Sequence, residues 1–450
     1  MTFRFRAGAV AGVAALLLSA CSAGDPQREA TPGTPTGSVG SATARPGAVP
    51  AGLARFYDQR LRWTGCGGGF QCTRVKVPLD YAHPEKRAIE LSVIKRPAGR
   101  PKARKGSLLL NPGGPGVSGV DYARAASSVF SSTLRDRFDV VGFDPRGVGG
   151  STPVECLDDK ETDAFIAADG SPDTPTEEQT LVDLSRHLAD RCGQRSGELL
   201  AHVGTRDAAR DLDVLRAALG DRRLHYLGKS YGTYLGATYA ELFPSRVGTM
   251  VLDGALDPAI GGEDVAREQA VGFEVALQSF VDDCLNRGDC PLRGSRKEAL
   301  ARVSRFLADV DRRPLKATSG RRVTESLAVL GIVTALYDEE SGWPLLRTAL
   351  GEAFAGDGST LLMLADFYTD RNASGHYTTN SNDAIYAVNC LDRPTEGDLA
   401  TVRSTARSFE RVAPHFGDYI AWSELPCASW PYPPQGQPHP VRAAGSAPIL

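Results

Sequence analysis

Residues 224–253, LHYLGKSYGTYLGATYAELFPSRVGTMVLD, set one serine between two glycines in Gly228-Lys229-Ser230-Tyr231-Gly232. A short apolar run (Leu224, Tyr226, Leu227) leads in, and small residues follow on one side of a helix-like segment at Gly232, Gly236, Ala237 and Ala240. A serine on a sharp strand-to-helix turn projects its hydroxyl outward, and flanking glycines relieve the crowding of that bend. The GxSxG pattern recurs by chance, so its surroundings must decide. A serine hydroxyl attacks a carbonyl only when a base takes its proton, normally a histidine oriented by a carboxylate. The oxyanion that forms needs two donors fixed in advance. The backbone N–H of Tyr231 would be one. Residues 111–116, Asn-Pro-Gly-Gly-Pro-Gly, would provide the other from Gly114, with Gly113 as the alternative, because glycines let bare backbone approach a substrate.

The acid and the base are harder to place. Asp253 ends the strand after the serine and is one candidate acid; a structural part in the DGALDP turn is the competing reading. The seven histidines are His83, His187, His202, His225, His376, His415 and His439, and none follows a late core strand. Triad members act as a unit, so a serine without its histidine would be nearly inert. Asp144-Pro145-Arg146-Gly147 reads as a turn held by the hydrogen bonds of its Asp and Arg.

The elements that must position these groups follow from periodicity. Residues 73–79 and 89–95 alternate apolar and polar, as half-exposed strands do. Residues 107–110 and 138–143 are short, mostly apolar runs that read as buried strands, and 248–253 is the next strand. Leu212, Leu215 and Leu219 repeat at helical spacing before Gly220. Strands alternating with helices imply an α/β fold, a mostly parallel doubly wound sheet with functional loops at the carboxyl ends of its strands. That core is expected over 51–257. From 258 to 445 amphipathic helices follow (263–285, 296–312, 325–337, 345–354), then irregular stretches at 370–383 and 423–440. This reads as a mainly helical cap inserted over the site. Residues 446–450 look like the start of a returning core strand, with the remaining core strands expected beyond Leu450.

Composition narrows the class. The chain has 450 residues, 42% hydrophobic and 23% charged, which suits a globular protein with ample core. A net charge of -3 gives no support for a nucleic-acid partner. Lys102, Arg104 and Lys105 read as a solvated loop. Arg4 and Arg6 precede an apolar run over 7–20, too short for a comfortable membrane span. Leu18-Ser19-Ala20-Cys21 looks like a lipobox, so 1–20 would be a lipoprotein signal peptide, with the mature chain lipidated at Cys21 and anchored at the cell surface. An ordinary signal peptide of a secreted protein is the alternative. Residues 21–50, rich in Pro, Gly, Ser and Thr, read as a flexible tether. Nine cysteines less Cys21 leave eight in an oxidising compartment. Proximity along the chain suggests Cys66–Cys72, Cys156–Cys192, Cys284–Cys290 and Cys390–Cys427, although eight cysteines admit many connectivities. No CxxC or close histidine pair calls for a metal, and nothing calls for a cofactor.

NPGGPG, FDVVGFDPRGVGGS and GKSYGTYLGATYAELFPSRVGTMVLDGALDP, followed by a helical insertion, closely resemble the tripeptidyl aminopeptidase-like serine hydrolases. These are secreted actinobacterial α/β-hydrolases related to prolyl aminopeptidases. The likeness runs from about Arg62 onward and is strongest over 107–258. It implies an α/β-hydrolase fold and an exopeptidase that releases short peptides from a free N-terminus through an acyl-enzyme on Ser230. It also implies cap carboxylates that hold the substrate ammonium, for which Glu339, Glu340, Asp383, Asp392 and Glu424 are candidates. The acid and histidine of such enzymes would fall beyond Leu450. An esterase would use the same serine turn and oxyanion loop, so the motifs leave that reading open. A third reading is an inactive hydrolase used for surface binding.

Overall fold

The structure, a computed structural model, describes residue 49, residues 51–395 and residues 399–450. The expected signal peptide, Cys21 and nearly all of the tether lie outside the described residues. Seven strands form one sheet in the order β1-β2-β3-β5-β4-β6-β7. β1 (Thr64–Gly65), β2 (Gln71–Pro78) and β3 (Ala88–Arg96) are antiparallel neighbours, and β3 is antiparallel to β5 (Phe138–Phe143). β4 (Gly106–Asn111), β5, β6 (Leu224–Lys229) and β7 (Val247–Asp253) run parallel. All six residues of β4 are buried, as expected of a strand covered on both faces.

β4 lies between β5 and β6, so the chain turns to opposite sides of it in succession. That is the switch point of a doubly wound sheet, where a crevice opens beyond the strand ends. Asn111, the last residue of β4, pairs in register with Gly228 of β6. The loop over 111–116 and the serine turn therefore leave the sheet side by side. Ile449 bridges Met250 in parallel, and the Leu252 N–H donates to the Leu450 carbonyl at 2.7 Å along the outer side of β7.

The cap contains the helices Gly262–Leu285, Arg296–Arg312, Glu325–Leu336, Gly342–Phe354, Ser359–Tyr368, Ser381–Asp392 and Leu399–Val412. Three features depart from the pattern read in the sequence. Glu325–Leu336 is buried on nearly every face, with cap helices around it, and is not amphipathic. The stretch expected to be irregular over 370–383 gives way at Ser381 to a regular helix. The helix Pro175–Ser196 had no counterpart in the expected order. Its start was legible, since Thr174 and Glu177 form a capping box with Pro175 as the first helical residue. Leu181 and Val182 of this helix pack with Ala266, Ala270, Phe409 and Trp422. The cap thus recruits a segment that precedes the serine in sequence.

Disulfides join Cys66–Cys72, Cys156–Cys192, Cys284–Cys290 and Cys390–Cys427. The second ties the loop after β5 to the helix Pro175–Ser196, and the fourth ties Ser381–Asp392 to the turn Leu425–Ser429.

The Asp144–Arg146 turn is held as a structural unit. Asp144 accepts from Ser118 Oγ at 2.6 Å, from the Val120 N–H at 3.2 Å and from the Gly150 N–H at 2.9 Å. Arg146 is fully buried and forks onto Asp211 at 2.6 and 2.7 Å, with further bonds to the carbonyls of Pro78, Leu79 and His202. Removing one partner of such a pair strands a buried charge, at a cost of about 3–5 kcal/mol. Asp211→Ala is expected to lower unfolding free energy by that amount in urea titrations. A loss below about 1 kcal/mol would mean that water or Asp207 replaces the lost partner.

Candidate active site

Ser230 sits between β6 and the helix Tyr231–Leu242 with φ 51° and ψ -123°, and it is exposed. A non-glycine residue at such angles costs about 1–3 kcal/mol and persists only when its surroundings fix it. Here four hydrogen bonds do so. The Ser230 N–H donates to the Asp253 carbonyl at 3.0 Å. The Ser230 carbonyl accepts from the Thr233 N–H at 2.8 Å and from Thr233 Oγ1 at 2.7 Å. Thr233 Oγ1 in turn accepts from the Leu256 N–H at 2.9 Å. Gly232 has no alternative, because a Cβ there would lie 2.7 Å from the Asn111 carbonyl oxygen. No side chain among the described residues hydrogen-bonds Ser230 Oγ, which is free to meet a substrate.

The loop after β4 closes against this turn. Gly113 and Gly114 have φ of 108° and 105°, in the region that favours glycine. A Cβ on Gly113 would stand 3.0 Å from Ser230 Cβ and 2.7 Å from the Lys229 carbonyl oxygen. The Gly113 N–H is already committed, donating to Asn111 Oδ1 at 3.0 Å. The N–H groups of Gly114 and Tyr231 find no acceptor among the described residues. Of the two glycines weighed in the sequence, Gly114 is therefore the one whose amide is unspent.

Asp253 is half-exposed, and its carboxylate lies 3.5 Å from Lys229 Nζ. None of the seven histidines pairs with it. His225 is at the far end of β6, its ring edge-on to Phe138 and its Nδ1 accepting from the Thr249 N–H. Ser230 lies five positions further along, about 16 Å away. His83, His187, His202 and His376 face Glu85, Glu161, Asp207 and Asp159. His439 is exposed and bonded through its backbone to Pro258. His415 is buried in the cap with Ser304 at Nε2 and Glu274 at Nδ1, the partners of a relay. Its chemistry is different. Nε2 also faces the Leu300 carbonyl at 3.1 Å, and Nδ1 faces a carboxylate at 2.9 Å. Acceptors at both nitrogens favour the imidazolium, which cannot take a proton from a serine.

The five cap carboxylates separate by environment. Glu339 and Glu340 are exposed on the turn before Gly342–Phe354. Asp383 accepts from the Cys156 N–H at 2.8 Å, and burial pushes its carboxyl up to about 6. Asp392 accepts from the Thr205 N–H and Oγ1, and burial likewise raises it to about 6. Glu424 is raised by burial with Arg393 opposing, and no hydrogen bond engages its carboxylate among the described residues. Arg393 itself lies 4.7 Å over the ring of Tyr234, one helical turn beyond Ser230. The sequence reading missed Arg393 and Tyr234 because they meet only through the fold. It also missed the crowding of Asp169, Asp311 and Glu325 within 4.8 Å of one another. Burial pushes Glu325 up to about 7, which keeps a proton in that cluster near neutrality.

Residues 106–338 match the family described as alpha/beta hydrolase fold. The chain is 38% identical over 428 residues to a protein of Mycobacterium tuberculosis named serine protease Hip1, spanning 89% of this chain and 81% of that one. It is 36% identical over 427 residues to carboxylesterase B of the same organism, covering 92% and 82%. It is 33% identical over 420 residues to the tripeptidyl aminopeptidase of Streptomyces coelicolor, covering 90% and 76%. The fold and these likenesses define an α/β-hydrolase. Within that class the chain belongs to the tripeptidyl aminopeptidase-like serine hydrolases, and it is an enzyme of the serine hydrolase type.

The Glu274–His415 pair gives the cap a pH dependence. Burial alone would lower the imidazole, but the bond and charge of Glu274 prevail and hold it above 6.5. Burial alone would raise Glu274, but His415 holds it below 4.5. The histidine's contribution is complete below 6.5 and is lost as pH rises through its raised value; the glutamate's is complete above 4.5 and is lost as pH falls. Wild type should therefore exceed His415→Gln in melting temperature most between pH 4.5 and 6.5. A difference that grows from pH 6 to pH 9 in scanning calorimetry would refute the imidazolium assignment.

Proposed function

We propose that this chain is an exported aminopeptidase that removes short peptides from free N-termini through an acyl-enzyme on Ser230. The observation that carries the reading is the exposed Ser230, fixed at a positive φ beside two uncommitted amides, those of Gly114 and Tyr231. Attack by Oγ on a peptide carbonyl would place the developing oxyanion between those N–H groups. Two such donors together lower the barrier by several kcal/mol, taking roughly 2.7–4 kcal/mol for one. None of the seven histidines hydrogen-bonds Ser230 Oγ, so the base is assigned to none of them. Export is supported by the four disulfides, which persist in oxidising compartments. Lipidation at Cys21 rests on the lipobox alone. Among the described residues no helix is long and apolar enough to cross a membrane.

The exopeptidase part rests on Glu424. Among the described residues it is the one of the five candidate carboxylates that is partly buried and accepts no hydrogen bond. A carboxylate so placed gains a charge-assisted bond to a substrate ammonium. An esterase acting on uncharged acyl groups is the second reading, favoured by the 36% identity to carboxylesterase B.

Two measurements test these roles. A fluorophosphonate probe is expected to label the complete protein at Ser230 and to leave Ser230→Ala unlabelled. Labelling at another serine would remove the nucleophile assignment. On the complete protein, kcat/KM for a tripeptide anilide with a free N-terminus should exceed that of its acetylated form by about ten- to hundredfold, and Glu424→Gln should erase most of the difference. Equal rates on free and acetylated peptides would leave the esterase reading standing.

A further inference from the structure

The two uncommitted amides, those of Gly114 and Tyr231, leave different elements of the core, yet one cap helix reaches both elements. The helix Ser381–Asp392 begins against the glycine loop, where a Cβ on Gly116 would meet the Ser381 carbonyl oxygen at 2.9 Å and Ala384 Cβ at 3.2 Å. At its far end Asp392 Oδ1 accepts the Thr205 N–H at 2.7 Å, and Asp392 Oδ2 accepts from Thr205 Oγ1 at 2.6 Å. Thr205 Oγ1 is in turn hydrogen-bonded to the hydroxyl of Tyr231 at 2.5 Å. Thr205 opens the core helix Thr205–Ala218, whose N-cap residue is Gly204. A glycine has no side chain with which to accept a first-turn N–H. Asp392 does so from the cap.

The hydrogens of this chain can be counted. Thr205 Oγ1 carries one, and the ionised Asp392 carboxylate takes it. The contact between Thr205 and Tyr231 is then made with the tyrosine's own hydrogen. The order is Tyr231 to Thr205 to Asp392, a chain in which each bond strengthens the next. Burial raises the Asp392 carboxyl only to about 6, so the terminal acceptor is ionised at neutral pH. Asp392, Thr205 and Tyr231 are 6%, 1% and 4% exposed, so bulk water does not replace a bond that is lost. The Tyr231 ring also has Tyr234 beside it, with ring centres 6.5 Å apart, and Arg393 lies 4.7 Å over Tyr234. Successive residues at the end of one cap helix thus address the first turn of the helix Tyr231–Leu242. Strand register decides where that turn lies. A tyrosine held at its hydroxyl decides in addition how the turn is rotated, and its backbone N–H rotates with it. Small errors matter there, because an oxyanion donor must stand about 2.7–3.1 Å from the oxygen it stabilises.

We propose that Asp392 and Thr205 are positioning residues for acyl transfer: through the Tyr231 hydroxyl they set the Tyr231 backbone N–H against the developing oxyanion, while the start of the same cap helix braces the glycine loop. The cap then supports the chemical step in addition to covering the substrate. This rests on the acyl-transfer reading of Ser230 and holds for a peptide or an ester alike. It does not depend on Glu424.

The test uses the complete protein, with a tripeptide anilide and a p-nitrophenyl ester as substrates. It compares wild type with Tyr231→Phe, Thr205→Val, Thr205→Ser and the double variant Tyr231→Phe/Thr205→Val. Tyr231→Phe removes one oxygen and leaves both Thr205–Asp392 bonds in place, so it separates orientation from folding. It is expected to lower kcat about tenfold with KM changed by less than about twofold, since the oxyanion develops only toward the transition state. Thr205→Val is expected to match it, and Thr205→Ser, which keeps the hydroxyl, to recover most of the rate. The double variant should be no slower than the slower single variant, because both break one chain. An unchanged kcat in Tyr231→Phe, or single losses that multiply in the double variant, would overturn the proposal and leave Ser230 as the nucleophile. A wild type that turns over neither substrate and takes no fluorophosphonate label at Ser230 would overturn the acyl-transfer reading and the proposal with it.

Discussion

The end of β4 and the first turn of the helix Tyr231–Leu242 approach so closely that no side-chain atom fits between them. Asn111 is the point of contact. Its carbonyl lies against Gly232, and its side-chain oxygen accepts the Gly113 N–H. One buried residue therefore holds the loop of one strand against the turn of its neighbour. Without that contact Ser230 would have no reason to keep its positive φ, and the amide of Gly114 would have no fixed distance from it. The strain at Ser230 is local, but what opposes it comes from three strands: β4 through Asn111, β6 through its own register, and β7 through the Asp253 carbonyl. The buried Arg146–Asp211 pair extends the same rigidity to the loop after β5.

The cap attaches to this rigid edge by a few defined contacts. Asn380 accepts from the Gly149 N–H and donates to the carbonyls of Gly147 and Val154, which fixes the start of Ser381–Asp392 on the core. Asp392 closes the other end of that helix onto Thr205. The helix is thus pinned at both ends to the core while its disulfide at Cys390 holds the turn that carries Glu424. Carboxylates such as Asp383 and Asp392 are raised by burial yet fully engaged by backbone and hydroxyl donors, so they serve position. Glu424 is half-buried, and its carboxylate accepts no hydrogen bond among the described residues.

How much of this could be read from residues alone depended on range. The serine turn, the glycine loop and the parallel strands are local patterns, and their signals lie within a few residues of one another. β4 and β5 were legible because short, mostly apolar runs ending in turn residues have few other homes. The helix Pro175–Ser196 was not, since its many charged residues blur the apolar stripe formed by Leu181, Leu188 and Cys192. Ser381–Asp392 was obscured by the Asn and Ser residues at its start, which favour turns until tertiary contacts recruit them. Arg393 and Tyr234 meet across more than a hundred residues of chain. No spacing rule reaches that far.

A division of labour follows from these two levels of rigidity. The groups that would act on the reacting carbonyl are backbone amides and one hydroxyl, all set by strand register. The groups that would choose the substrate are side chains on cap helices, whose identity can change without disturbing the sheet. Glu424 stands where the two meet, carried by the cap but locked to the core through Cys390 and the helix that contains it. A carboxylate on a freely moving lid would hold an ammonium at no fixed distance from Ser230, and the bond selected for attack would vary. Held as it is here, and if it binds the substrate ammonium as proposed, the same carboxylate would measure a length of chain, which is what would separate an enzyme that counts residues from a free end from one that cuts wherever a peptide fits.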